Sequence, residues 1–182
     1  MEEDPSNYEA LYRLCIIHIE DKEYEVAKEK LLQLLKMDPE RETDPVYILL
    51  SDVSRLQKDY DMALEYLANI SNIDESTEAL TSKAACEEKL GHVDDARAIY
   101  QRALVLGHEH APLFRRYGWF LIKVGDIHNG TDNLVKSYQL EPKCIKTHKK
   151  LGRAYLLSED NKIDEAFKHF NFVYDRNPED YI

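Results

Sequence analysis

The sequence predicts an all-α protein, an α-solenoid of about five stacked helix–turn–helix units. Three observations carry that prediction. First, a small residue followed four places later by a large apolar one recurs along the chain, as Ala27 with Leu31, Ala63 with Leu67, Ala96 with Tyr100, Gly130 with Leu134 and Ala166 with Phe170. Second, the small residues lie 36, 33, 34 and 36 positions apart; a period near ~34 marks stacked helical hairpins, which no single-core enzyme fold requires. Third, only six glycines and six prolines occur in 182 residues. They sit at intervals, as short turns between long helices would place them, and no segment shows sustained strand alternation.

The units read in order as 8–41, 44–77, 77–110, 111–144 and 145–180. In the first, Tyr8, Leu11, Leu14, Cys15 and His18 share one helix face. Asp21-Lys22-Glu23 makes a polar turn. Ala27, Leu31 and Leu34 mark a second helix, closed by Asp38-Pro39. The second unit opens on Asp44-Pro45, read as an N-cap with proline at the first helical position. Tyr47, Leu50, Ser51 and Ser54 form its first face, and Ala63, Leu67 and Ile70 its second. Glu75 stands where a closing proline is expected.

The third unit carries Leu80, Ala84, Leu90-Gly91, Ala96, Tyr100, Ala103 and Leu106. Lys83 and Glu87 occupy two usually apolar places there, which predicts a local distortion or a partner contact. The fourth is the clearest: Phe114, Tyr117, Gly118, Leu121 and Gly125 lead into Ile127, Gly130, Leu134, Ser137, Leu140 and Pro142. Gly130 inside a helix costs ~1 kcal/mol relative to alanine, which close helix packing can offset. The fifth holds Leu151, Gly152, Tyr155, Ile163, Ala166, Phe170, Val173 and Pro178, with a longer turn at Ser158–Asn161. Ten helices of ~12–14 residues are expected, each about three to four turns long.

These residues resemble the tetratricopeptide-repeat family. The match lies in Phe114, Gly118, Gly125 and Pro142, in Ala96, Tyr100 and Ala103, and in Gly152, Tyr155, Ala166, Phe170 and Pro178. It covers about residues 8 to 180, with departures at Glu75, Lys83, Glu87, Gly130 and His148. The resemblance implies a right-handed superhelix whose first helices line a concave groove that holds partner segments. Neither end reads as a polar cap: Asp4-Pro5-Ser6-Asn7 looks like the tail of a preceding unit, and Asn177-Pro178-Glu179-Asp180-Tyr181 like the run-in to a next one. The single array, 1–182, is therefore expected to be a segment of a longer one.

The groove positions that the resemblance implies are Tyr12 and Ile16 in the first unit, with Glu9 and Ile19 beside them. The second unit supplies Ile48, Asp52 and Arg55. The third supplies Thr81, Ala85 and Glu88, the fourth Arg115, Trp119 and Ile122, and the fifth Lys146, Lys149, Arg153 and Leu156. Along the groove the character passes from apolar and acidic to cationic. The partner expected is a protein or peptide with apolar anchors and an acidic or phosphorylated stretch, since arginine grips such anions bidentately. Two of these features have plainer readings. Lys146-Lys149-Lys150-Arg153 also fits a solvated helix face, and Trp119 fits a core position as well as an anchor. The lysine–asparagine pair with which some family members clamp a terminal carboxylate is absent: those places hold Tyr12 and Ile16, Ile48 and Asp52, or Arg115 and Trp119.

Charge is unevenly spread. The formal net charge is −11, yet residues 1–80 hold 20 acids and 8 bases while 111–157 hold 9 bases and 3 acids. Overall acidity argues against a general nucleic-acid binder. No run approaches ~18 apolar residues, so no membrane association is expected, and the acidic start is no secretory signal. Three unclustered cysteines point to a reducing compartment, cytoplasmic or nuclear. Cys15 falls on a small packing place and is read as structural. His108-Glu109-His110 is too small a set for zinc, which needs three or four ligands; no metal or cofactor is expected. No G-x-S-x-G or glycine-rich phosphate loop occurs. Asn69-Ile70-Ser71 and Asn129-Gly130-Thr131 match the glycosylation pattern but fall on predicted helices, and are read as chance.

The expected function is a non-enzymatic protein-interaction scaffold or adaptor, a subunit of a multiprotein complex. The alternatives are a chaperone for exported proteins, a self-associating repeat protein, and an accessory RNA binder using the 111–157 island.

Overall fold

The computed structural model describes residues 5–37, 43–160 and 162–176. Ten α-helices, and no strands, occur among them. They are α1 (Pro5–Glu20), α2 (Tyr24–Met37), α3 (Asp44–Leu56), α4 (Tyr60–Leu67), α5 (Thr77–Leu90), α6 (Val93–Leu106), α7 (Ala111–Lys123), α8 (Ile127–Leu140), α9 (Ile145–Leu157) and α10 (Ile163–Tyr174). Asp38-Pro39, Asn161 and Pro178 lie outside the described residues. The contacts divide the chain into two compact units, Met1–Ile99 and Tyr100–Ile182.

In the first unit α1 packs on α2, α2 on α3, α3 on α4 and α4 on α5. The joints follow one register. Numbering the places of each hairpin from Tyr8, Asp44, Thr77, Ala111 and Ile145, places 3, 7 and 10 of α3 are Val46, Leu50 and Val53. All three are fully buried in one cluster with Leu31 and Leu34 of α2. Removing each such side chain from water contributes about 1.5–3 kcal/mol. At the next joint Ala79 of α5 is buried against Leu67 and Ile70. Place 8 is small in every hairpin (Cys15, Ser51, Ala84, Gly118, Gly152), and each is buried. Cys15 is thus a packing residue, as its place predicts.

The second unit repeats the register with larger side chains. Places 3, 7 and 10 of α7 are Leu113, Tyr117 and Phe120, all buried. The rings of Tyr117 and Phe120 lie 5.3 and 5.4 Å from that of Tyr100. In α9 the same places hold Thr147, Leu151 and Ala154; the last two pack with Ile122 and Leu134, and with Val135 and Tyr138 beside them. The α7–α8 crossing explains its glycines. A Cβ on Gly118 would stand 2.7 Å from the Gly130 carbonyl oxygen, and one on Gly130 would stand 2.7 Å from the Gly118 oxygen and 2.5 Å from Ile122 Cγ1. The two backbones touch directly, so neither place admits a side chain.

Four of the five turns between paired helices have a left-handed residue at place 15. It is Gly91 (φ 89°) and Gly125 (φ 93°) in two hairpins, but Lys22 (φ 64°) and Lys58 (φ 68°) in two others. Glycine reaches this region freely, whereas lysine does so at a cost of about 1 kcal/mol.

Three expectations fail locally. Asp44 is not the N-cap of α3: the helix starts on it, after Thr43, and its carboxylate instead accepts the Ser71 backbone N–H at 3.2 Å. Helix α4 has only 8 residues. The Asn69 amide donates to the Glu65 carbonyl at 2.8 Å, closing the helix end, and a single 3-10 turn at Ile73–Glu75 follows. Asn69 therefore sits in a turn, and Ile70 reaches the core from outside the helix. Finally, α5 runs unbroken through Lys83 and Glu87. Both are half-buried, and Glu87 Oε2 lies 2.8 Å from His92 Nδ1.

Candidate partner-binding face

In the first unit, Tyr12 lies half-buried against the α1–α3 cluster. Burial, then the charge of Glu78, holds its hydroxyl pKa above the usual tyrosine value. Ile16 is 37% exposed. Ile48 packs beside Leu67, Ile70 and Ala79. Asp52 and Arg55 are joined to each other: Asp52 Oδ1 accepts from Arg55 Nη2 at 2.8 Å and Nε at 3.2 Å, and from Ser82 Oγ at 3.1 Å. The ion pair lies within α3, and the Ser82 hydroxyl bond to Asp52 joins α3 to α5. Thr81 and Ala85, expected on the same wall, are buried instead; their small side chains are taken up by packing.

In the second unit α7 and α9 are in direct contact. Arg115 Nη1 donates to Cys144 Sγ at 3.4 Å and lies 3.6 Å from Glu141 Oε2, which ties α7 to the α8–α9 connection. Trp119 is half-buried on the Ile122, Leu134, Leu151 and Ala154 cluster. Lys150 Nζ stands 4.5 Å from the centre of its indole, within cation–π range. Trp119 thus packs on the core, and its ring carries the Lys150 ammonium group. Lys146 and Arg153 are exposed and Lys149 is half-buried, one to two helical turns apart on α9. An aromatic ring beneath an ammonium group can seat an apolar group beside a carboxylate or phosphate.

No local motif announces a second polar feature in this unit. His148 is buried; its Nε2 lies 2.9 Å from the Pro142 carbonyl and its Nδ1 2.9 Å from Nδ1 of His169. The carbonyl can only accept, so Nε2 of His148 carries its proton, and His169 Nδ1 donates to His148 Nδ1. Phe172 stacks on His148 at 3.6 Å between ring centres, and Tyr138 meets both imidazoles edge-on. Burial lowers the pKa of both histidines, that of His169 to about 4, with the neighbouring imidazole adding to the effect there. Nothing short-range pairs residues 148 and 169; only the hairpin does.

His110 caps α7, its Nδ1 accepting the Leu113 N–H at 3.2 Å. Among the described residues no group of three or more His, Cys, Asp or Glu side chains could hold a metal ion, and no helix is long and apolar enough to cross a membrane.

Known structures resemble this arrangement closely over nearly its whole length. The tetratricopeptide-repeat protein TTC0263 of Thermus thermophilus superposes with a TM-score of 0.79 at 17% identity, covering 95% of this chain and 93% of that one. The fold is that of a tetratricopeptide-repeat array. Cut9, in an APC/C hetero-tetramer with Hcn1, matches with a TM-score of 0.76 at 15% identity, over 96% of this chain and 37% of its own. PilF of Pseudomonas aeruginosa gives a TM-score of 0.69 at 14% identity, over 92% of this chain and 75% of that one. No family model and no curated protein matches the sequence.

Proposed function

We propose that this repeat array is a non-enzymatic protein-interaction scaffold, a subunit of a multiprotein complex, that binds a partner segment along its first helices. The observation that supports this most is on α7 and α9: Trp119 lies beneath Lys150, and Lys146 and Arg153 are exposed on the same helix as Lys150. The partner is a protein segment with an apolar anchor for the indole and carboxylates or phosphates for the cations. In the first unit Tyr12, Ile16 and Ile48 offer an apolar surface of their own, while Asp52, held by Arg55, serves mainly to join α3 to Ser82 of α5. A reducing compartment, cytoplasmic or nuclear, fits three free cysteines of which Cys15 and Cys86 are buried. That Cut9 is found in an APC/C hetero-tetramer with Hcn1 agrees with the subunit role.

The test is binding of fluorescent acidic and phosphorylated peptides bearing one aromatic or leucine anchor. Lys146→Glu, Lys149→Glu and Arg153→Glu together are expected to lower affinity at least ~10-fold, about 1.4 kcal/mol, with helicity by circular dichroism unchanged. Equal binding by the triple variant would reduce the stripe to a solvated helix face.

A further inference from the structure

The second unit holds a cavity of about 510 Å³, within the roughly 300–1,000 Å³ that ligand sites occupy. It lies between the start of α8, the end of α9 and the turn into α10. Tyr155 lines it, half-buried, with its ring stacked on that of His169 at 5.7 Å. Four carboxylates, those of Asp126, Asp132, Glu159 and Asp160, line it against one lysine, Lys162. Asp126 accepts from the backbone and side-chain amides of Asn129, and Asp132 lies 3.7 Å from His128 Nε2. Lys162 Nζ stands 6.0 Å from the centre of the Tyr155 ring and 3.6 Å from Asp160 Oδ2. The chain thus already places an ammonium group, on an aliphatic stem, against this aromatic ring. That side chain is 45% exposed and sits at the outer limit of cation–π range, so a better-placed cation can take its position.

We infer that this cavity binds an alkylammonium cation of another molecule, which replaces the Lys162 ammonium against Tyr155. A rim of carboxylates alone would be a solvated surface. Here the rim surrounds an aromatic ring that a cation of the chain's own already approaches, and four carboxylates to one lysine leave the cavity negative. Burial, then the charges of Glu165 and Asp132, hold the Tyr155 hydroxyl pKa above the usual tyrosine value, so the field of those carboxylates reaches the ring. A metal ion does not fit: among the described residues no three His, Cys, Asp or Glu side chains converge as one requires. Carboxylates spread around an opening suit an extended organic cation instead. A lysine side chain of a partner protein and a free polyamine share that chemistry. The inference does not rest on Trp119 and Lys150, and it calls for a ligand of the opposite charge.

The test is an amide NMR titration of the isotope-labelled full chain with three probes. They are a capped peptide of three lysines spaced by glycine, spermidine, which carries the same charge, and the peptide with norleucine for each lysine. Saturable shifts in 126–132 and 155–160 are expected with a cationic probe and not with norleucine. Tighter binding of the peptide assigns the ligand to a protein, and tighter binding of spermidine to a free polyamine. Lys162→Met keeps the stem, removes the competing ammonium and should tighten binding at least ~3-fold. Lys168→Met removes an equal charge from an exposed place on α10 outside the cavity and should leave binding unchanged. Tyr155→Leu should weaken it at least ~3-fold; if that variant loses helicity, Asp132→Asn, at an exposed position, replaces it with the same expectation. No saturable shift with either cation overturns the inference. So do equal shifts with the norleucine peptide, or equal tightening by Lys162→Met and Lys168→Met, which would reduce the effect to bulk charge.

Discussion

The α7–α8 hairpin and the α3–α5 region meet the same packing requirement with opposite chemistry. Around α7–α8, two glycines let backbones touch and three rings, Tyr100, Tyr117 and Phe120, fill the space beside them. Around α3–α5, the ion pair of Asp52 with Arg55 binds Ser82, and the hydroxyls of Ser51 and Ser54 are buried with no hydrogen-bond partner among the described residues. Dispersion and area burial accumulate in the first region. In the second, each polar group must recover its own desolvation before it contributes anything. Identical repeat geometry therefore does not imply equal stability from joint to joint.

The largest break in that contrast is expected from Tyr100→Ala. Removing a fully buried ring should cost about 3–5 kcal/mol in urea unfolding, and a cost below ~1 kcal/mol would show that the ring cluster is not what stabilises the joint. Gly118→Ala comes next. Alanine favours a helix by ~1 kcal/mol over glycine, but its Cβ would meet the Gly130 oxygen, so the net effect should be a loss of about 1–3 kcal/mol. A gain in stability would mean the helices can part without penalty.

Acid should separate the regions further. Both His148 and His169 are held neutral in the fold, their pKa values depressed below the unfolded value of 6.5. The unfolded chain therefore takes up protons first. Stability is complete above pH ~6.5 and declines as pH falls toward about 4, the folded value for His169. Arg176, whose guanidinium lies 3.6 Å over Phe172, adds to the repulsion. Hydrogen exchange, corrected for its intrinsic pH dependence, should show α9 and α10 losing protection across that window while α3 and α5 keep theirs. Equal loss in both regions would remove the histidine pair as the cause. The smallest effect is Ser51→Ala, which removes an unsatisfied hydroxyl without changing shape and should gain up to about 1 kcal/mol.

Much of this was legible in the sequence. The small-then-large pairs marked the second helices because helix crossings need a small residue at a fixed place, and Ala27, Ala63, Ala96, Gly130 and Ala166 are all buried. The α4 boundary was not legible: its early end depends on the Asn69 amide turning back to Glu65 and on Asp44 holding Ser71 from 27 residues away. The uninterrupted α5 was also missed, since a charge at an apolar place reads as a fault, whereas Lys83 and Glu87 are half-buried without breaking the helix. For the candidate face, helical spacing sufficed to group Lys146, Lys149 and Arg153. It could not show that Lys150 caps Trp119 or that Arg115 is tied to Cys144 and Glu141. Those contacts join separate helices, and no local pattern encodes them.

The left-handed turns at place 15 have a consequence for engineering. Two hairpin tips hold lysine where two others hold glycine, so the bend there is imposed by the helices it connects and not chosen by the residue at its apex. Lys22 and Lys58 are consequently points at which heat tolerance could be raised by exchange to glycine, leaving every surface that another molecule could grasp as it was.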